Sequence, residues 1–198
     1  LKRLAKEAGM ENPTDEELVR FDRNRKDKTT SNADWKSATD GDSRIAKMKD
    51  GRTHLAYKAE HVLDLETEAI LAAEIYHADQ ADNQTLEDSL HQAQTQLAEA
   101  GSEQPIQDAV ADKGYHANQT LADLDEHTTY RSYIPEPELK HDRVWTDKPP
   151  EQKAAVYANR RRTRGKRGKR LQRLRSERVE RSFAHVCVSG GMRRTWPR

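Results

Sequence analysis

The apolar residues of this chain are confined. They concentrate between about Thr53 and Ile134, and both flanks are polar and charged. With 33% hydrophobic and 35% charged residues, the composition lies near the lower edge of what packs a core. A chain of 198 residues therefore has room for one domain of ordinary size, with its core in the middle and loosely held flanks. No apolar run approaches the ~20 residues that span a bilayer and no signal peptide is visible, so no membrane role is expected. The single cysteine, Cys187, excludes an internal disulfide. It fits a reducing cytoplasm and reads as a small apolar filler on a helix.

Periodicity orders the middle of the chain. Leu55, Tyr57, Ala59, His61 and Leu63 alternate with polar or small residues, as in a half-buried strand. After a turn at Asp64–Glu68, the apolar run Ala69–Tyr76 predicts an antiparallel partner, the more buried of the two. Leu86, Leu90, Ala93 and Leu97 mark one face of a helix that starts at Thr85 and ends at Gly101. Ile106–Ala111 reads as a short strand, Asn118 as the cap of a short helix, and Thr129–Ile134 as another strand. From Glu151 the chain reads as an Arg-rich helix broken near Gly165 and Gly168. Strand, strand, helix, strand, helix, strand, helix implies an α/β fold, a mixed sheet flanked by helices.

The flanks carry weaker signals. Thr14 and Glu17 form a helix-start box, with Leu18 and Phe21 as a thin apolar stripe. Lys28–Gly51 has no period and reads as a loop or extended arm. Leu1, Leu4, Ala5 and Ala8 open the chain in mid-pattern, and Thr195–Arg198 ends it without a cap, as expected inside a longer reading frame.

A net charge of +1 conceals an asymmetry. Glu151–Arg198 holds 16 Lys and Arg against three Asp and Glu, a local charge of +13. The preceding residues hold 19 against 31, a charge of −12. A basic block on an acidic body suits a polyanion, most simply nucleic acid. Its core is Arg160, Arg161, Arg162, Arg164, Lys166, Arg167, Lys169 and Arg170. Few aromatics interleave with it, so phosphate contact is expected rather than base stacking. A solvated basic helix without a ligand is the other reading of the same pattern.

Two carboxylates stand out. Asp112 follows an apolar strand, the place where open α/β sheets bind ligands, and Gly114 permits a sharp turn after it. Spacing alone leaves a metal-binding or base role and a plain turn Asp equally open. Glu180 sits beside Val179, Phe183 and Val186, which mark a helix face directed inward. Spacing alone favours a surface Glu paired with Arg173 or Arg181. Distant carboxylates brought together can clamp two divalent metals about 3.5–4 Å apart for phosphoryl transfer, and Mg²⁺ suits such a site. The eight histidines form no HxxxH or HExxH pair, and no phosphate-binding Gly-rich loop or G-x-S-x-G is present.

Three stretches carry a resemblance. They are Lys49-Asp50-Gly51-Arg52-Thr53-His54-Leu55-Ala56-Tyr57-Lys58, Val110-Ala111-Asp112-Lys113-Gly114-Tyr115-His116, and Val179-Glu180-Arg181-Ser182-Phe183-Ala184-His185, followed by Gly190-Gly191-Met192-Arg193-Arg194. In this order they resemble DDE transposases of bacterial insertion sequences, which have a ribonuclease-H-like catalytic domain. The resemblance implies metal-dependent cleavage of transposon-end DNA and strand transfer into target DNA, with Mg²⁺ or Mn²⁺ as cofactor and assembly as a homo-oligomer on DNA.

The second family acid falls on Asp112, before Lys-Gly-Tyr, and the third on Glu180, before Arg-x-Phe. Both are then catalytic and metal-binding. Arg175, Arg178, Arg181 and the run from Arg160 to Arg170 would hold phosphates. Relatives carry Tyr, Arg and Lys around the Glu where this chain has Arg173, Ser176 and Cys187. Asp40, Asp42 and Asp64 do not lie on a first strand, so that strand and its Asp are expected upstream of Leu1. The division implied is 1–52, a polar helical and loop segment, and 53–198, a partial ribonuclease-H-like domain lacking its first central strand. Such a chain alone is expected to be marginally stable and catalytically inactive. A non-catalytic nucleic-acid-binding protein is the alternative.

Overall fold

The structure is a computed structural model and describes residues 1–26, 32, 35–47, 51 and 53–191. The chain divides into two compact units, Leu1–Ala56 and Tyr57–Arg198.

The first unit begins with α1 (Lys2–Glu7) and α2 (Asp15–Asn24). The Thr14–Glu17 box forms as its sequence requires: the Glu17 amide donates to Thr14 Oγ1 at 3.3 Å, and the Thr14 amide donates to Glu17 Oε2 at 2.8 Å. The Thr14 amide, with the Thr14 hydroxyl at 2.9 Å, donates to the Glu17 carboxyl and holds it below its ordinary pKa. Ala5 and Leu18 are the buried apolar residues among those described here. The stretch expected to be a loop contains a strand, β1 (Arg44–Lys47), antiparallel to the first residues of β2 (Thr53–Leu63). Asn32 supplies what a periodic pattern would otherwise signal. Its amide receives the Ile45 N–H at 2.6 Å and donates to the Ile45 carbonyl at 3.2 Å.

In the second unit, Tyr57–Leu63 of β2 pairs antiparallel with β3 (Ile70–His77), as the alternation predicted. The faces are the reverse of expectation. Leu55 and Tyr57 are exposed, and Glu60 is the buried residue of β2, at 6% exposure. In β3, Ala72 is buried while Ile70 and Ile75 are exposed at 49% and 61%. The physical reason is the helix laid on this face. The helix α3 (Asp82–Glu99) presents Thr85 and Ser89, which donate to the two Glu60 oxygens at 2.6 and 2.8 Å. Lys58 Nζ adds an ion pair at 2.7 Å. A buried carboxylate is tolerable when its oxygens are this fully bonded.

The rest follows the predicted order. The strand β4 (Asp108–Val110), α4 (Asn118–His127) and β5 (Arg131–Tyr133) make a β–α–β unit whose strands pair in parallel. Asn118 is not the cap; its Oδ1 accepts from Arg143 at 2.5 Å. Then come α5 (Pro150–Arg164) and α6 (Lys166–Val188), separated at Gly165. Leu86 and Leu90 of α3, Leu121 and Leu124 of α4, Ile134 and Val156 form one buried cluster, with Val62 and Tyr115 packed against it. Asn159 locks α5 onto this core, receiving the Ile134 N–H at 2.9 Å and donating to the Ile134 carbonyl at 2.7 Å. The fold is mixed α/β. Among the described residues, β2–β3 and β4–β5 share no ladder, so no strand joins the two pairs.

Candidate functional site

Asp112 lies at the carboxyl end of β4, half-buried, where the strand passes into a single 3₁₀ turn, Lys113–Tyr115. Its Oδ1 accepts the Gly114 N–H at 2.7 Å. Its other oxygen has no hydrogen-bond partner among the described residues. Two further groups fix this turn. A Cβ on Gly114 would meet Asp82 Oδ2 at 2.6 Å and Asp112 Oδ1 at 3.0 Å, so both carboxylates close over the glycine. Burial, then the Glu60 and Asp82 charges, push the Tyr115 phenol well above the ordinary range. Lys58 completes the arrangement by bridging Glu60 and Asp82, the latter at 3.0 Å. Sequence reading missed this network. The only local signal was a Lys-x-Glu pair inside a strand.

Beside it lies a second charged cluster. Glu136 receives both forks of Arg160 at 2.8 Å and a close bond from Arg143. Burial opposes the charged form, but the bonds from Arg160 and Arg143 outweigh it and hold the Glu136 carboxyl down to about 2. His116, next to the Asp112 turn, has a buried Nε2 without a partner among the described residues. Burial and then the charge of Arg143 lower its pKa.

Glu180 is exposed on α6 and accepts from Ser176 Oγ of its own helix at 3.1 Å. Its Oε2 has no partner among the described residues. The helix docks through other residues. Gln172 donates to the Ala111 and Tyr133 carbonyls, and Phe183 stacks on His61 with ring centroids 4.3 Å apart. Val179, Phe183 and Val186 are half-buried, as their spacing suggested. Glu180 follows Gln172 by eight residues, about 12 Å along the helix axis. Asp112 and Glu180 are each bonded within their own segment. Among the described residues no group of three or more His, Cys, Asp or Glu side chains is placed to hold a metal ion. Asp64 is committed to its turn, accepting the Glu66 and Thr67 amides and the Thr67 hydroxyl. Asp40 accepts the Asp42 amide at 3.2 Å.

The basic block sorts into two sets. Arg160 holds Glu136, and Arg162 donates to the Ser132 carbonyl and hydroxyl and pairs with Asp125. Arg178 donates to the Leu65 and Glu66 carbonyls, Arg167 pairs with Asp108, and Arg175 bonds to Gln172. Arg181 pairs with Glu68 and Glu177. By contrast, Arg161, Arg164, Lys166, Lys169 and Arg170 are exposed and make no such contact with a described residue.

A family model described as the transposase DDE domain matches residues 15–194. The chain therefore belongs to the DDE transposase family, whose catalytic domain is ribonuclease-H-like. No curated protein and no solved structure matches it. Of the stretches that carried the resemblance, Lys49, Asp50, Arg52 and Met192–Arg194 lie outside the described residues. The family acts in DNA transposition, and its members generally use a divalent metal. Among the described residues, no helix is long and apolar enough to cross a membrane.

Proposed function

We propose that this chain is a DNA-acting part of an insertion-sequence transposase, in which Asp112 and Glu180 hold Mg²⁺ or Mn²⁺ and the basic block holds phosphates. The reaction of the whole enzyme is cleavage of phosphodiester bonds at transposon ends and strand transfer into target DNA, on a homo-oligomer in the cytoplasm. The chain alone binds DNA without completing that reaction.

One observation carries this reading. Asp112 stands at the carboxyl end of a parallel strand pair with one oxygen held by the Gly114 amide and the other without a partner among the described residues. Glu180 likewise keeps one oxygen without a partner among the described residues. Hard oxygen donors of this kind suit Mg²⁺, which takes one or two carboxylates and draws its remaining ligands from water and substrate phosphate. Such an ion would supply charge stabilisation to the attacking and leaving oxygens. What the chain itself does is orient the carboxylates: Gly114 fixes Asp112, and Ser176 fixes Glu180.

The test is incubation of the purified chain with supercoiled plasmid and Mg²⁺ or Mn²⁺. Binding without nicking is expected. Nicking by wild type that disappears in Asp112→Asn would overturn the inactivity and keep the carboxylate assignment. Failure to bind DNA at low salt would overturn the reading itself.

A further inference from the structure

The basic block carries more cations than its fold consumes, and four of the surplus six lie on one face of α6. Along α6 the exposed residues include Lys166, Lys169, Arg170 and Arg173, spaced i, i+3, i+4 and i+7. That spacing is one helical face. The preceding turn of α5 adds Arg161 and Arg164, also exposed and three residues apart. None of the six bonds to a described residue. The inward-turned arginines alternate with them: Arg160, Arg162 and Arg178 are each only about a quarter exposed, at 23%, 25% and 22%, and each is held by carbonyls or carboxylates. Glu180 is exposed on the same side as the free cations, two turns beyond Arg173.

We infer that these six side chains form a ridge that tracks the phosphates of duplex DNA independently of base sequence, and that Arg160, Arg162 and Arg178 are fold anchors that do not bind DNA. The inference rests on the DNA reading above and sharpens it: the contact surface loses those arginines and gains Arg173. Unpaired, exposed cations can exchange counterions for phosphates. Arginines already satisfied by protein groups would have to break those bonds first. The ridge ends on the face that carries Glu180, so a phosphate backbone laid along it runs toward that carboxylate. A single cation contributes little, and the series acts through its number.

The experiment is a salt titration of binding to a duplex of arbitrary sequence, performed in EDTA so that metal chemistry plays no part. Six phosphate contacts give a slope of log K against log salt of about −5, and a loss on the order of 10³-fold in affinity between 50 and 200 mM salt. Converting ridge cations to Gln in pairs is expected to reduce the slope in steps of about two, with the melting temperature unchanged. Arg160→Gln, Arg162→Gln and Arg178→Gln are expected to lower the melting temperature and leave the slope as in wild type below it. A ridge variant with all six replaced that keeps the wild-type slope would overturn the inference. So would an anchor variant whose slope falls while its melting temperature holds. Because no metal is present, either result is separate from failure of the nicking assay.

Discussion

The side-chain amide of Gln172 donates to the main-chain carbonyl of Ala111 at 3.0 Å. The same nitrogen reaches the Tyr133 carbonyl at 2.5 Å. One glutamine thus ties α6 to the ends of both strands of the parallel pair, one residue before Asp112. Together with the Arg167–Asp108 pair, it sets the helix carrying Glu180 against the strand that leads to Asp112.

Replacing Gln172 by Leu should therefore loosen α6 while leaving the site residues chemically intact. Two part-buried carbonyls lose their donor, which costs about 1–3 kcal/mol. The expected result is an earlier midpoint in urea unfolding. An unchanged midpoint would mean that α6 is not held there.

Asn159 offers a sharper stability test, because it is buried at 1% exposure and satisfies both main-chain groups of Ile134. Asn159→Ala removes both bonds inside the core and should destabilise by about 2–4 kcal/mol. Thermal unfolding followed by circular dichroism reads the change, and a loss below half that range would count against the clamp.

Lys58 is the counter-charge of the buried Glu60. Lys58→Met leaves a carboxylate in the core without its cation and should cost about 3–5 kcal/mol. Adding Glu60→Gln removes the stranded charge and keeps one acceptor oxygen, while its NH2 can donate to the other hydroxyl, so the double variant should recover most of the loss. A double variant no more stable than Lys58→Met would show that the charge pair is not what matters.

The local features were legible in the sequence and the distant ones were not. The Thr14–Glu17 box, the β2–β3 hairpin and the break at Gly165 depend on neighbours in the chain, and all three form. The buried face of β2 was misread because Glu60 is stabilised by Thr85 and Ser89, which lie 25 and 29 positions away. The short strand β1 was invisible because a side chain, Asn32, secures it rather than a periodic pattern. Asp112 stands out through the Asp-Lys-Gly-Tyr resemblance, and the turn that Gly114 implied after it forms. The division of the arginines could not be picked out, since Arg160, Arg167 and Arg181 pair with acids 24, 59 and 113 positions distant.

Acid should expose the Glu136 cluster. Its carboxyl is held down to about 2 in the folded chain and returns to the ordinary carboxylate range on unfolding. A depressed folded pKa contributes stability that is fully present above the unfolded value and is lost as pH falls toward about 2. Stability should therefore decline from about pH 4.5 downward, and Glu136→Gln should flatten that decline while lowering stability at neutral pH. An identical acid limb in the variant would remove Glu136 from the explanation.

In the function proposed above, Asp112 and Glu180 bind one divalent ion together with DNA phosphate. Mn²⁺ titration followed by electron paramagnetic resonance, on the chain bound to duplex DNA, measures this directly. Asp112→Asn and Glu180→Gln are each expected to weaken Mn²⁺ binding about tenfold or more, a loss equivalent to ~1.4 kcal/mol, while DNA affinity in EDTA is unchanged. Wild-type Mn²⁺ affinity in either variant would contradict it.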